Sequence, residues 1–250
     1  MERPVTIWGF HPIREFAIHR PEALLEVGVI PTFGRKKRDK SILAILERRG
    51  VPVTRLDGLH VMGVPSQAVH QGIAALVKPV WNVEEGEFKE IISKGELASS
   101  HIMALDEITD PHNFGAILRA AISFGITHIV VQRRSSAPVT GVVAKSSSGA
   151  LAVARIIQSK RLRQILLYLK DNGWTIVGLD PNGEASLWDA DLTGQKVFVL
   201  GAEEKGLRKT IRGLCHTLCR IPLEGGTIQS LNVSQASAIV AYEATRQVHP

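Results

Sequence analysis

The C-terminal three-fifths of this chain constrains its fold most, because short apolar stretches alternate there with helical patterns. Residues 102–105, 126–131, 175–179 and 219–223 read as strands, and 114–124, 161–170, 207–214 and 233–247 read as helices. The run Lys196-Val197-Phe198-Val199-Leu200 has no polar alternation. That is the pattern of a strand covered on both faces, as in a parallel sheet. Strand–helix alternation predicts an α/β fold with a doubly wound parallel sheet, whose ligand site lies in the loops at the carboxyl ends of the strands.

The front of the chain predicts a smaller α/β domain. Residues 12–20 and 41–49 read as helices, with Ser41 as the N-cap of the second and Gly50 as its stop. Extended segments are expected at 24–30, 51–53 and 72–77. Residues 79–99 are proline-broken and acidic, which reads as a linker. The expected division is therefore 1–78, a linker over 79–99, and 100–250.

Composition removes several classes. At 44% hydrophobic and 22% charged residues the chain is globular, without long disordered tracts. No apolar run approaches the ~20 residues that span a bilayer, and Met1-Glu2-Arg3-Pro4 opens no signal peptide. A cytoplasmic protein is expected. Two cysteines, Cys215 and Cys219, make no disulfide framework and no zinc set, and nine histidines are scattered, so no metal is expected. A formal charge of +6 permits a polyanionic partner without demanding one.

Three loops at predicted strand ends carry the candidate chemistry. The first runs Asp106-Glu107-Ile108-Thr109-Asp110-Pro111-His112-Asn113 into a helix containing Arg119. Helix capping accounts for Asp110 and Pro111 but not for Asn113, nor for Arg119 beside Ala116 and Ala120. The second is Leu200-Gly201-Ala202-Glu203-Glu204-Lys205-Gly206, an acidic pair between glycines. The third runs from Ile221-Pro222 to Ser230-Leu231-Asn232-Val233-Ser234. No GxxxxGK[ST] or GxGxxG phosphate cradle occurs in the chain.

Taken in order, these loops resemble the three motifs of the SpoU/TrmH-type RNA ribose 2′-O-methyltransferases. The resemblance rests on Asn113 with 114–121, on 200–203 with Gly206, and on Ile221-Pro222 with 230–234. Trp8-Gly9-Phe10-His11-Pro12 and His70-Gln71-Gly72-Ile73 resemble the substrate-binding domain of the subgroup that methylates a guanosine in bacterial 23S rRNA. That domain is itself similar to small RNA-binding ribosomal proteins.

The resemblance implies a SPOUT-type domain with a C-terminal trefoil knot that uses S-adenosylmethionine, and a homodimer formed through that domain. It places the adenosine against Leu200, Gly201, Ile221 and Leu231. Arg119, Asn113, Glu203, Asn232 and Ser230 become the catalytic candidates. A guanidinium is a poor general base, so one role for Arg119 is to bind substrate phosphate and stabilise charge on the 2′-oxygen. The other, a true base, needs a strongly lowered pKa. Arg35, Lys36, Lys37 and Arg38 become candidate RNA contacts. Three alternatives stand beside this assignment: a tRNA ribose methyltransferase, an RNA-binding protein that has lost catalysis, and a metabolic α/β enzyme that binds nucleotides, which the missing phosphate motifs disfavour. The front domain argues against the first, and the joint presence of Asn113, Arg119, Glu203 and Asn232 against the second.

Overall fold

In a computed structural model the chain is described over residues 3–97, 101–203, 205–226 and 230–249. In chain order the elements begin with β1 (Val5–Trp8), α1 (Phe10–His19), β2 (Leu24–Val29), α2 (Lys37–Arg48), β3 (Val53–Arg55), β4 (Ile73–Val77), β5 (Asn82–Val83) and α3 (Glu85–Ser93). They continue with β6 (His101–Asp106), α4 (Pro111–Ser123), β7 (His128–Gln132), α5 (Gly141–Ser146), β8 (Arg155–Ser159) and α6 (Leu162–Asp171). Last come β9 (Thr175–Leu179), β10 (Ala185–Ser186), β11 (Lys196–Gly201), α7 (Lys209–Arg212), β12 (Thr217–Arg220) and α8 (Val233–Val248). Among the described residues no helix is long and apolar enough to cross a membrane.

Two compact units form. The first comprises residues 1–81 together with 138–153, the second residues 82–137 and 154–250. The smaller unit is a four-stranded sheet in the order β1-β4-β2-β3, antiparallel except for the β2–β3 pair. Its inserted segment belongs there by packing. A Cβ on Gly141 would stand 2.0 Å from the Trp8 ring, so only a glycine lets α5 lie this close to β1.

The larger unit is an eight-stranded sheet in the order β10-β12-β9-β11-β6-β7-β8-β5, with every strand pair parallel. Its side chains divide by the two-residue period of a strand. Ile102, Ala104, Val197 and Val199 face a core that α6 completes with Leu162, Ile165, Leu166 and Leu169. Met103, Leu105 and Phe198 alternate with them and are equally buried. A sheet covered on both faces is what the apolar 196–200 run predicts.

Several boundaries differ from expectation. The second helix begins at Lys37 rather than Ser41, so Lys37 and Arg38 are helical, and Ser41 donates its hydroxyl to the Arg38 carbonyl inside the first turns instead of capping. The stretch expected as a linker is structured through residue 97. Trp81 is buried in the smaller unit, while Val83, Phe88 and Ile92 enter the core of the larger one. Apolar burial outweighs the proline-and-acid signature that suggested a linker. Of that stretch, Ala98 and Ser99 lie outside the described residues. The β8 strand carries no clear alternation, and its sequence signal, Arg155-Ile156-Ile157, is too short to read against the glycine and serine before it.

Candidate active site

All three loops of interest follow adjacent or near-adjacent parallel strands of the larger unit and emerge at the same edge. The β6 and β11 strands are direct neighbours with Leu105 opposite Leu200 and Asp106 opposite Gly201, and β12 lies on the far side of β9. Each loop then enters a helix. Asp110 caps α4 by accepting from the His112 amide at 2.9 Å, which puts Asn113 in the first turn. Asn232 caps α8 in a reciprocal box with Gln235.

That cap orients a second interaction. The Asn232 Oδ1 accepts from the Ser234 amide at 2.8 Å and the Ser234 hydroxyl at 2.6 Å, so the Nδ2 end must point away from the helix. It donates to Asn113 Oδ1 at 3.2 Å and to Glu203 Oε1. The Asn113 Nδ2 donates to the same Glu203 oxygen at 2.7 Å. Three side chains from three loops thus form a closed triangle that engages a single oxygen of the carboxylate. Local rules alone explain why Asn232 caps a helix; they do not explain the triangle.

The Glu203 loop is a tight hairpin. The Gly206 amide donates to the Ala202 carbonyl at 2.8 Å, and a Cβ on Gly201 would stand 2.2 Å from the Gly206 backbone. Gly206 has φ +61, in the left-handed region that glycine adopts freely. A cleft of about 330 Å³ opens beside the triangle, bordered by Glu107, Asp110, Asn113, Glu203 and Lys205. Its volume is at the lower end of small-ligand sites. Glu107 on its wall has φ +62, a strained conformation for a residue with a Cβ and one that tends to persist at functional sites.

An ion pair that the sequence reading did not single out anchors this arrangement. The Asp106 carboxylate is fully buried at the end of β6. It accepts from Arg208 Nε at 2.7 Å and from the Arg208 backbone amide at 3.0 Å. The Arg208 guanidinium also donates to Gln132 Oε1 at 2.8 Å, at the end of β7, and lies 3.4 Å from Glu107 Oε1. One arginine therefore ties the exit of the Glu203 hairpin to two neighbouring strand ends. A buried aspartate at a strand end is a signal in hindsight, but its partner is far away in sequence.

Other candidates fall elsewhere. Arg119 is exposed. Six residues after Asn113 on a helix places its Cα about 9 Å along the axis and about 120° around it. Ser230 is exposed in the loop before Asn232. Leu200 is buried, while Gly201, Ile221 and Leu231 are half-buried, and none of the four borders the cleft. Arg35, Lys36, Lys37 and Arg38 are exposed around the start of α2 in the smaller unit. Burial pushes the Cys215 thiol up to about 11, out of range for a nucleophile at neutral pH. Burial and the nearby Arg155 push His128 down to about 4, so this ring is a neutral packing group stacked on Phe88. Among the described residues no group of three or more His, Cys, Asp or Glu side chains is arranged to hold a metal ion.

Residues 100–242 match the family model described as SpoU rRNA Methylase family, and residues 6–82 match RNA 2′-O ribose methyltransferase substrate binding. The chain belongs to the SpoU rRNA methylase family. Within that family, it is 36% identical over 242 residues to the Vibrio vulnificus protein named 23S rRNA (guanosine-2′-O-)-methyltransferase RlmB, covering 96% of both chains. The protein of the same name in Escherichia coli K12 is 32% identical over 244 residues, covering 96% of this chain and 98% of that one. Among solved structures, the SpoU methyltransferase AviRb from Streptomyces viridochromogenes, in complex with AdoMet, superposes with a TM-score of 0.77 at 21% identity. That alignment covers 98% of this chain and 91% of the other, which establishes the shared fold. A tRNA-modifying TrmH/SpoU enzyme from A. aeolicus gives a TM-score of 0.54 at 26% identity, over 66% of this chain and 84% of its own.

Proposed function

We propose that this protein transfers a methyl group from S-adenosylmethionine to the ribose 2′-oxygen of a guanosine in bacterial 23S rRNA. The observation that carries the reading is the Asn113–Glu203–Asn232 triangle beside an open cleft, in a chain whose full-length relatives are named for this reaction. The tRNA alternative has less support, since the A. aeolicus tRNA enzyme aligns with only 66% of this chain.

When bound, S-adenosylmethionine would supply an electrophilic methyl group: as the 2′-oxygen takes the methyl, the C–S bond would break to leave the neutral thioether, and the hydroxyl proton would pass to a carboxylate such as that of Glu203. The residues assigned to its adenosine suit it chemically. Ile221 and Leu231 are half-buried. These are apolar side chains left open beside strand ends, where a planar base can bury them. Asn113 and Asn232 orient the ribose, and Glu203, with one oxygen held in the triangle, offers the other to the 2′-hydroxyl. Holding the hydroxyl in line is worth several kcal/mol of the barrier. Arg119 binds a substrate phosphate and stabilises charge on the 2′-oxygen, and Ser230 lines the approach.

The remaining assignments extend the same reading. The unit of residues 1–81 and 138–153 binds RNA, with Arg35, Lys36, Lys37 and Arg38 contacting phosphates. The catalytic unit carries the C-terminal knot and pairs with a second copy; a monomeric mass by light scattering at micromolar concentration overturns that pairing. Ribose methylation itself is checked by reverse transcription of rRNA from cells with and without this gene. The expected result is one 2′-O-methylguanosine that disappears from 23S rRNA on deletion and returns with the wild-type gene. Unchanged 23S rRNA with a methylation lost from tRNA instead overturns the substrate assignment.

A further inference from the structure

The smaller unit contains a polar cluster that the methyl-transfer site does not use, built from segments far apart in sequence. Gly9 precedes α1 with φ +98, and a Cβ there would stand 2.6 Å from Lys145 Nζ and 3.2 Å from Gln71 Oε1. The φ of Gly9 is one that residues with a Cβ rarely adopt, and a Cβ there would also crowd the lysine's ammonium. Gln71 has φ +57, a strained value for a residue with a Cβ. Its Oε1 accepts from the Phe10 amide at 3.0 Å and from Lys145 Nζ at 3.0 Å. Two unusual backbone conformations thus converge on placing one ammonium group.

A second cation stands close by. The Arg38 guanidinium lies over the Phe10 ring, 5.4 Å from its centroid, with 45% of its side chain exposed. Burial, and then the charge of Arg38, hold the Lys145 ammonium below its usual pKa, as expected for two cations sharing one positive field. Of the neighbouring carboxylates, Glu15 is engaged elsewhere, while Asp39 holds the Nε side of Arg38 and leaves its terminal nitrogens for a ligand. Glu15 pairs with Arg14 at 2.6 Å and with His19 at 3.4 Å. Asp39 touches Arg38 Nε at 3.3 Å and accepts from the Gly34 amide at 3.3 Å. The first turn of α1 holds no acidic residue.

We propose that Arg38 and Lys145 together bind one phosphate of the RNA backbone beside the first turn of α1. The proposal rests on the RNA-substrate reading above and extends it. Lys145 lies outside the 6–82 stretch that matches the substrate-binding family model and in the 138–153 segment that interrupts the catalytic part of the chain. A phosphate is favoured over a nucleobase because both groups are cationic donors and the fork of an arginine matches phosphate oxygens. Gln71 acts as the positioning residue for the lysine.

The experiment measures affinity of the full-length protein for unmodified 23S rRNA transcript across a range of salt concentrations. Lys145→Met is expected to weaken binding about 10-fold at low salt and to reduce the slope of log K against log salt by about 0.7–0.9, the loss of one phosphate contact. Lys145→Arg is expected to keep the wild-type slope. Adding Arg38→Gln to Lys145→Met is expected to weaken binding less than Arg38→Gln does in the wild type, because the phosphate is shared. Melting temperature and calorimetric S-adenosylmethionine binding should not change. A wild-type slope in Lys145→Met overturns the proposal, as does a weakened affinity that tracks a lowered melting temperature with the slope intact. A wild-type protein that binds the transcript with no salt dependence overturns the phosphate proposal, and one that does not bind the transcript at all overturns the RNA-substrate reading itself.

Discussion

Arg208→Ala is expected to destabilise the larger unit by about 3 kcal/mol, near the lower end for breaking one side of a buried ion pair. The cost comes from Asp106, whose carboxylate has no exposed surface and would lose both its strongest ion-pair contact and a donor at 2.7 Å. The lower end applies because the Arg208 side chain is 33% exposed, so water can reach part of the vacated space. For a unit of this size the melting temperature should fall by about 6–12 °C. Arg208→Lys should recover only part of this loss, because an ammonium cannot serve Asp106, Glu107 and Gln132 in one planar fork. Asp106→Asn together with Arg208→Met removes both charges and should be less damaging than Arg208→Ala alone. Differential scanning calorimetry of the four proteins checks the order. A melting temperature for Arg208→Ala within 2 °C of wild type, on the scale of ~2–4 °C per kcal/mol, overturns the anchoring role.

Arg119→Ala is expected to cut turnover by ~10²–10³, the scale for losing one electrostatic stabiliser, while S-adenosylmethionine affinity stays near wild type. The exposure of Arg119 on α4 separates this outcome from a folding defect, since exposed substitutions usually shift stability by less than about 0.5 kcal/mol. Arg119→Lys should recover little, because it lacks the bidentate fork. A general-base role gives a different signature: a pH–rate profile with a titration well below ~12 that vanishes in Arg119→Ala. Single-turnover methylation of the rRNA transcript, with calorimetry on the same variants, reads both quantities. Near wild-type turnover in Arg119→Ala removes the residue from the mechanism.

Much of the catalytic unit was legible in the sequence because its signals are local. An unbroken apolar run such as 196–200 can be satisfied only between two covering layers, and a cap such as Asp110 or Asn232 acts within three residues of itself. The three loops were likewise found as strand-end segments, and Asn113, Glu203 and Asn232 were named within them. What joins these residues is not local. The triangle forms because β6 and β11 are hydrogen-bonded neighbours and α8 returns its cap beside them, an outcome that no spacing along the chain specifies.

The same reason explains what only the tertiary structure decided. The Asp106–Arg208 pair and the Lys145–Gln71 contact each join residues separated by most of a domain's worth of chain. Whether two charges far apart in sequence meet depends on strand order and register. The division of the chain into units also escaped local reading, since 82–97, expected as linker, and 138–153, expected in the C-terminal domain, join their units by packing rather than by composition. Val83 and Phe88 look like residues of a linker until a sheet edge is present to bury them, and Gly141 looks like any glycine until Trp8 lies against it. Propensity and capping act over a few residues and were therefore readable from the sequence, whereas burial and ion pairing were settled only when distant surfaces met.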